Sequence, residues 1–337
     1  MKKEVISSPI RWAGSKKKLL NEMLEKTFVN NKKNYVECFL GSGVVLLNVL
    51  NNSEELKYSK FYVNDINSNI INFYILLQKE PQTFLKMIKP LASKYNELTI
   101  GDKSTFFYEI RNKFNSSKDS TEKSIMFYFL MKTGFNGVYR ENSKGEYNVP
   151  FGKKDKIVIN DDYLLMISEL IRNVEFYNMR FEDFLSFMKK KKVLDDAFVY
   201  CDPPYLPDDL LVYQKQMLYT KDSFDHQLLF DSINMFKIDF VMISMAESKV
   251  ADSIYNKNPL HKIDVMDIIR VVNPKKLFSS KEIAYINYDI EEWITLFLYQ
   301  NLPESENNLT IFDKYYQIVL YYACKWGELF EYKTGKF

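Results

Sequence analysis

From residue 81 to about residue 131 the chain reads as helix after helix, in amphipathic segments near 82–98, 103–115 and 121–132, with no strand between them. On either side of this block, short apolar strands alternate with helices. This pattern limits the folds open to the chain more than any other feature. Strands joined through helices pair in parallel, by right-handed crossovers. Before the block, strands are expected at 35–38 and 61–63 and helices at 44–50 and 68–77; a helix also follows Ser15, where Leu19, Leu20, Met23 and Leu24 share one face. A polar loop over 134–156 closes the block. Further strands are then expected at 174–177, 198–201, 240–244, near 262–269 and at 283–288, with helices near 161–172, 180–191, 223–236 and 247–255. The expected fold class is α/β, a doubly wound sheet built from residues 1–80 and 160–288. A helical insertion at 81–159 interrupts it, and an extension over 289–337 follows.

The chain is almost neutral at +2, but the charge is unevenly spread. Residues 81–160 carry 14 Lys/Arg against 8 Asp/Glu, a net +6, and residues 289–337 carry 4 against 8, a net −4. A basic insertion suits a polyanionic partner, or is simply a solvated helical face. Lys189 to Lys192 is the only charge run and falls where a helix should end, complementing its dipole. The three cysteines, Cys38, Cys201 and Cys324, fit neither a disulfide framework nor zinc spacing, which favours a reducing compartment. No apolar run approaches the ~18–20 residues of a membrane span, and the first residues lead into no signal region. A cytoplasmic protein with no membrane partner is expected. His226 and His261 have no ligand spacing, so no metal site is expected, and His226 is assigned to a helix surface.

Three segments carry chemistry. Phe39-Leu40-Gly41-Ser42-Gly43 lies between a strand and a helix, where glycines let the backbone approach a ligand closely. It has neither the three-glycine dinucleotide fingerprint nor a phosphate loop, so it suits a nucleoside-bearing ligand without a pyrophosphate. Asp65 ends the next strand, where a carboxylate can accept both ribose hydroxyls; the alternative is a cap for the helix beginning near Asn67. Asp202-Pro203-Pro204-Tyr205 directly follows a strand. Its prolines fix an extended turn with free carbonyls, so a carboxylate and a prolyl carbonyl form a pair of acceptors suited to an exocyclic amino group. Tyr205 adds a flat face for stacking.

Taken in order, Pro9-Ile10-Arg11-Trp12-Ala13-Gly14-Ser15-Lys16, the segment 39–43, Asp65-Ile66-Asn67, Phe135-Asn136-Gly137-Val138-Tyr139-Arg140, the segment 145–152 and Asp202 to Tyr205 resemble the Dam-type adenine-N6 DNA methyltransferases. That group includes maintenance enzymes and partners of restriction endonucleases, and the likeness spans roughly residues 7–288. It implies a Rossmann-like methyltransferase sheet binding S-adenosylmethionine, with Trp12, Lys16, Glu37, Phe39, Gly41, Gly43, Asp65 and Asp202 around the cofactor. It implies double-stranded DNA as partner, and it is compatible with a separate cognate restriction endonuclease. The insertion becomes the target-recognition region. There Arg140 is expected to contact guanine and Phe135 to wedge into the stack, with Asn136 and Asn142 in the same loop, while Lys153, Lys154 and Lys156 meet phosphates.

By the same likeness the target adenine leaves the duplex and stacks on Tyr205, while Asp202 and the Pro203 carbonyl accept its amino hydrogens and Pro204 keeps the turn rigid. RNA adenine or a protein glutamine amide are alternative amino acceptors, and a silent DNA-binding regulator is an alternative of another class. The basic insertion favours DNA, and Asp rather than Asn at 202 disfavours the amide. Ser15 stands where a glycine is common, and Met245 follows Ile243-Ser244 where a polar residue is common. Trp293, Phe297, Tyr315, Tyr316, Tyr321, Tyr322 and Trp326 suggest that the extension folds.

Overall fold

The computed structural model describes residues 4–28, 31–206, 224–273 and 276–289. The chain divides into two units, 1–287 and 288–337. All but Asp289 of the expected C-terminal extension lies outside the described residues.

The first unit is organised on a sheet of β1 (Asn34–Glu37), β2 (Lys60–Asn64), β3 (Val174–Tyr177), β4 (Ala197–Cys201), β5 (Val241–Ala246), β6 (His261–Asn273) and β7 (Lys276–Ile286). Among the described residues the order is β3-β2-β1-β4-β5-β7-β6. From β3 to β5 all neighbours are parallel. β7 is antiparallel to both β5 and β6. The antiparallel edge was not foreseen from sequence, and β7 begins at 276 rather than 283. Two residues separate β6 from β7, far too few for the crossover that a parallel pair requires.

β1 and β4 are buried on both faces, as central parallel strands are. On one face Val36, Cys38, Val199, Cys201, Val241 and Ile243 form a core with the apolar sides of three helices. On the other, Tyr35 and Phe198 pack with Phe28.

The helices are α1 (Leu20–Thr27), α2 (Val44–Asn51), α3 (Ser53–Leu56), α4 (Ser68–Lys79), α5 (Pro81–Glu97), α6 (Ile100–Ser116), α7 (Ser120–Thr133), α8 (Asp161–Leu170), α9 (Phe181–Lys190), α10 (His226–Phe236) and α11 (Lys249–Tyr255). The last three supply that first core layer. The short α3 was not expected. α5, α6 and α7 make up the insertion, and α7 is buried from Ser124 to Met131, which makes it the insertion's central helix. Its start is written in sequence: the Asp119 carboxylate accepts from the Glu122 amide at 2.8 Å.

The polar loop after α7 is closed at its base and held from the side. The Phe135 amide donates to the Pro150 carbonyl at 3.0 Å, and the Gly152 amide to that of Thr133 at 2.9 Å. From α6, Asn115 clamps the Tyr147 backbone with bonds of 3.0 and 2.9 Å. At the tip, the Gly145 amide donates to the Asn142 carbonyl at 2.9 Å, making a hairpin turn around Lys144-Gly145. No helix among the described residues is long and apolar enough to cross a membrane.

Candidate active site

Strand order reverses between β1 and β4, because the chain builds outward to β3 on one side and to β5 on the other. Ligands of open α/β sheets bind in the crevice at the carboxyl ends of the strands flanking such a reversal. Here the turn after β1 and the Asp202–Tyr205 turn after β4 line that crevice, around a cavity of about 1160 Å³.

The two glycines of the first turn have different tasks. Both are left-handed, with φ of +50° at Gly41 and +73° at Gly43. Gly41 lines the cavity, and its amide donates to Asp65 Oδ2 at 2.8 Å. Gly43, expected beside the cofactor, does not line the cavity. A side-chain carbon there would fall 2.4 Å from the Tyr74 hydroxyl, which itself donates to the Ser42 carbonyl at 2.5 Å. Gly43 therefore lets α2 and α4 approach each other.

Asp65 is buried at the end of β2, with Oδ1 accepting from the Asn67 amide at 2.8 Å. Asn67 itself caps α4, accepting from the Asn69 amide at 3.0 Å. Asp65 thus ties the two turns together, and each of its oxygens keeps a second lone pair for a ligand. Burial raises its carboxyl above the ordinary range, and the two amide bonds offset part of that rise. Glu37, at the end of β1, is pushed well up by burial, with Asp202 and Asp65 adding and a bond from the Tyr35 hydroxyl opposing.

The N-terminal segment crosses this region as a strap. Asn48, buried in α2, pins both backbone groups of Ile6, at 2.9 and 2.8 Å. Farther on, the Ala13 amide donates to the Gly137 carbonyl of the insertion loop at 3.0 Å. Between these anchors Trp12 lines the cavity and stacks on Tyr139, ring centres 5.9 Å apart. Lys16 then turns inward. Its ammonium lies 2.6 Å from Asp202 Oδ1, 2.5 Å from the Tyr205 hydroxyl and 3.0 Å from Glu282 Oε1. Burial alone would lower its pKa, but these three neighbours reverse that and raise it. Burial also raises Asp202, opposed by Lys16 and supported by Glu282.

His226 is not on a helix surface, as its sequence context suggested. It is 2% exposed at the start of α10. Its Nδ1 lies 2.8 Å from the Tyr255 hydroxyl, and the ring also donates to the Pro204 carbonyl. Burial pulls its pKa down to about 4, so at neutral pH it is an uncharged buttress behind the 202–205 turn.

Comparison with known proteins decides the class. The profile of the D12 class N6 adenine-specific DNA methyltransferases matches residues 12–269. The chain belongs to this family. The methyltransferase is 30% identical over 283 residues to the DNA adenine methylase of Haemophilus influenzae, covering 82% of this chain and 92% of that one. A type II methyltransferase from Methanocaldococcus jannaschii is 31% identical over 206 residues, 59% of this chain and 68% of its own. The DNA adenine methylase of Escherichia coli K12 is 30% identical over 198 residues, 59% and 64% of the two chains.

Of the residues expected to meet DNA, Arg140 and Asn142 reach the rim of the methyltransferase's cavity. Arg140 is exposed, with its Nε held by Asn148 Oδ1 at 2.7 Å. Asn142 is occupied at the hairpin tip, where its Oδ1 accepts from the Lys144 and Glu146 amides. Phe135, Asn136, Lys153 and Lys154 are exposed and do not line the cavity. Phe135 is 52% exposed, unusual for a phenylalanine. Sequence reading missed three participants, Glu282, His226 and Lys132, and it placed Asn148 in the 145–152 segment without its bond to Arg140. Lys132 is half-buried in α7, and its pKa falls to about 8 through burial, with Arg11 and Lys154 adding to the effect. Only the +6 balance of the insertion hinted at such a cluster.

Proposed function

We propose that the chain transfers a methyl group from S-adenosylmethionine to the N6 amino group of a specific adenine in double-stranded DNA. The observation that carries this reading is the joining of one cavity to an arginine-bearing loop of the net-basic insertion. The Asp202–Tyr205 turn and Asp65 line the inside, and Arg140 stands on an insertion loop at the edge.

The residues of the cavity fit such a methyl donor. Glu37, Asp65 and Asp202 present three carboxyl groups with raised proton affinity, which favours a cation among them. They do not form a metal-binding group among the described residues. Gly41 and Trp12 form a close wall, and Asp65 has lone pairs left for ribose hydroxyls. Phe39 adds an apolar floor, its ring 5.7 Å from Phe181 and 5.3 Å from Phe224. S-adenosylmethionine would supply an electrophilic methyl group on a sulfonium.

The remaining chemistry belongs to the chain. The adenine leaves the duplex, at a cost of a few kcal/mol in stacking and pairing. Tyr205, 36% exposed, offers its ring to the base. The Asp202 carboxylate and the Pro203 carbonyl accept the two amino hydrogens, which localises the nitrogen lone pair otherwise delocalised into the ring. The fixed turn, backed by His226, supplies positioning without rearrangement at the moment of reaction. Arg140, oriented by Asn148, reads a base edge, and the Arg11, Lys132 and Lys154 cluster seats a phosphate. A separate restriction endonuclease is the further partner this reading suggests.

The test is transfer of labelled methyl from S-adenosylmethionine to unmethylated genomic DNA, beside Asp202→Ala, followed by mapping of modified bases. Methyladenine at one repeated motif, absent with the variant, is the expected result. Cofactor binding without any label in DNA would overturn the proposal.

A further inference from the structure

Three donors converge on one buried oxygen that the scheme above does not use. Glu282 is fully buried just past the middle of β7, opposite Ala246 at the end of β5, which brings it to the carboxyl edge of the parallel strands. Its Oε1 lies 3.0 Å from the Lys16 ammonium, 2.7 Å from the Tyr205 hydroxyl and 3.1 Å from the Ser244 hydroxyl. Lys16 meanwhile sits 2.6 Å from Asp202 Oδ1 and 4.5 Å from the centre of the Tyr205 ring. The ammonium therefore lies on the acceptor and beside the ring face that an adenine amino group needs. A lysine paired with Asp202 alone would neutralise that carboxylate, leaving no net charge for the positive charge that develops on N6 during attack. With a second carboxylate on the same ammonium, Lys16 is shared between two acids and is not a dedicated counter-ion of Asp202.

We propose that Glu282 is a positioning residue for methyl transfer: it shares the Lys16 ammonium with Asp202 and anchors the Tyr205 hydroxyl, so that Asp202 is not neutralised by a counter-ion of its own. The proposal rests on adenine methylation as the activity and extends it to a residue 77 positions beyond Tyr205. Glu282 acts through Lys16 and touches neither the base nor the methyl donor.

The experiment is a double-mutant cycle of Glu282→Gln and Lys16→Gln in the full chain. Single-turnover transfer to unmethylated genomic DNA is read with enzyme in excess, and S-adenosylmethionine affinity is read separately by calorimetry. Glu282→Gln should slow transfer roughly tenfold or more while leaving cofactor affinity within about twofold. In the Lys16→Gln background the same change should cost almost nothing, since the ammonium it manages is gone. A Glu282→Gln enzyme as fast as wild type overturns the proposal, and so do losses that multiply across the two sites. If Glu282→Gln alone does not accumulate as folded protein, the pair of Lys16→Gln and the double variant carries the test, and a further drop in the double variant overturns it. Failure of the underlying activity would show differently, as a wild-type chain that labels no adenine at all.

Discussion

The buttress behind the 202–205 turn makes a pH signature that can be worked out in advance. His226 titrates near 6.5 in an unfolded chain and at about 4 in the fold. Above pH 6.5 the ring is neutral in both states and contributes no pH dependence. Between 6.5 and 4 the unfolded chain takes up a proton that the folded chain refuses, so stability rises with pH across this window and is lost as pH falls through it. Below about 4 both states are protonated and the loss is complete. A gap of that size corresponds to about 3 kcal/mol. Other groups also titrate, so the informative quantity is the difference from His226→Phe, which has no proton to bind. The variant starts less stable at pH 7, because the Pro204 carbonyl and the Tyr255 hydroxyl lose their partner. Its deficit should then shrink by about 3 kcal/mol as pH falls from 7 to 4, in urea unfolding followed by circular dichroism at constant ionic strength. Two curves running parallel from pH 7 to 4 would refute the assignment of His226 as a neutral, buried buttress.

Gly43→Ala should cost more than the ~1–2 kcal/mol of a left-handed alanine, because the added carbon meets the Tyr74 hydroxyl at 2.4 Å and its ring carbon Cζ at 2.7 Å; thermal unfolding of Gly43→Ala with and without Tyr74→Ala, which removes the whole ring, separates clash from backbone strain. Glu37, Asp65 and Asp202 all have raised proton affinity, and a cation beside them favours their ionised forms. Affinity for S-adenosylmethionine should therefore rise with pH more steeply than affinity for S-adenosylhomocysteine, which lacks the sulfonium; equal slopes in calorimetry would contradict the pairing of these three carboxyl groups with a cation. Lys132→Met should lower the slope of log affinity against log salt by about 1 for duplex DNA, measured by fluorescence anisotropy, whereas Lys118→Met on the far-lying helix connection should not change it.

The interior of the sheet was legible because its strands are short apolar runs closed by sharp turns. β3 matches its expected bounds, and β1, β2 and β4 differ by a residue or two. The β6–β7 hairpin was not legible, since periodicity marks a strand without revealing its direction. The candidate site divides in the same way. Asp65 and the 202–205 turn sit where the strand order places them. Glu282 and His226 could not be found from local pattern, because a buried carboxylate on a strand and a histidine on a helix acquire their roles only through partners 266 and 22 positions away, Lys16 and Pro204. The different tasks of Gly41 and Gly43 were not legible, because two glycines in one turn look alike in sequence, while only Gly41 lines the cavity.

The stacking of Trp12 on Tyr139 has a practical use. The chain has three tryptophans, and the other two, Trp293 and Trp326, both follow residue 288. Replacing those two with phenylalanine leaves a single indole, wedged between the Gly41 turn and a tyrosine of the insertion loop. Its emission would then be a built-in optical gauge with two inputs: a ligand settling against Gly41 perturbs one face of the ring, and movement of the insertion loop perturbs the other. Stopped-flow traces from that one chromophore could time the arrival of the small molecule and of the nucleic acid in the same reaction, without any attached dye.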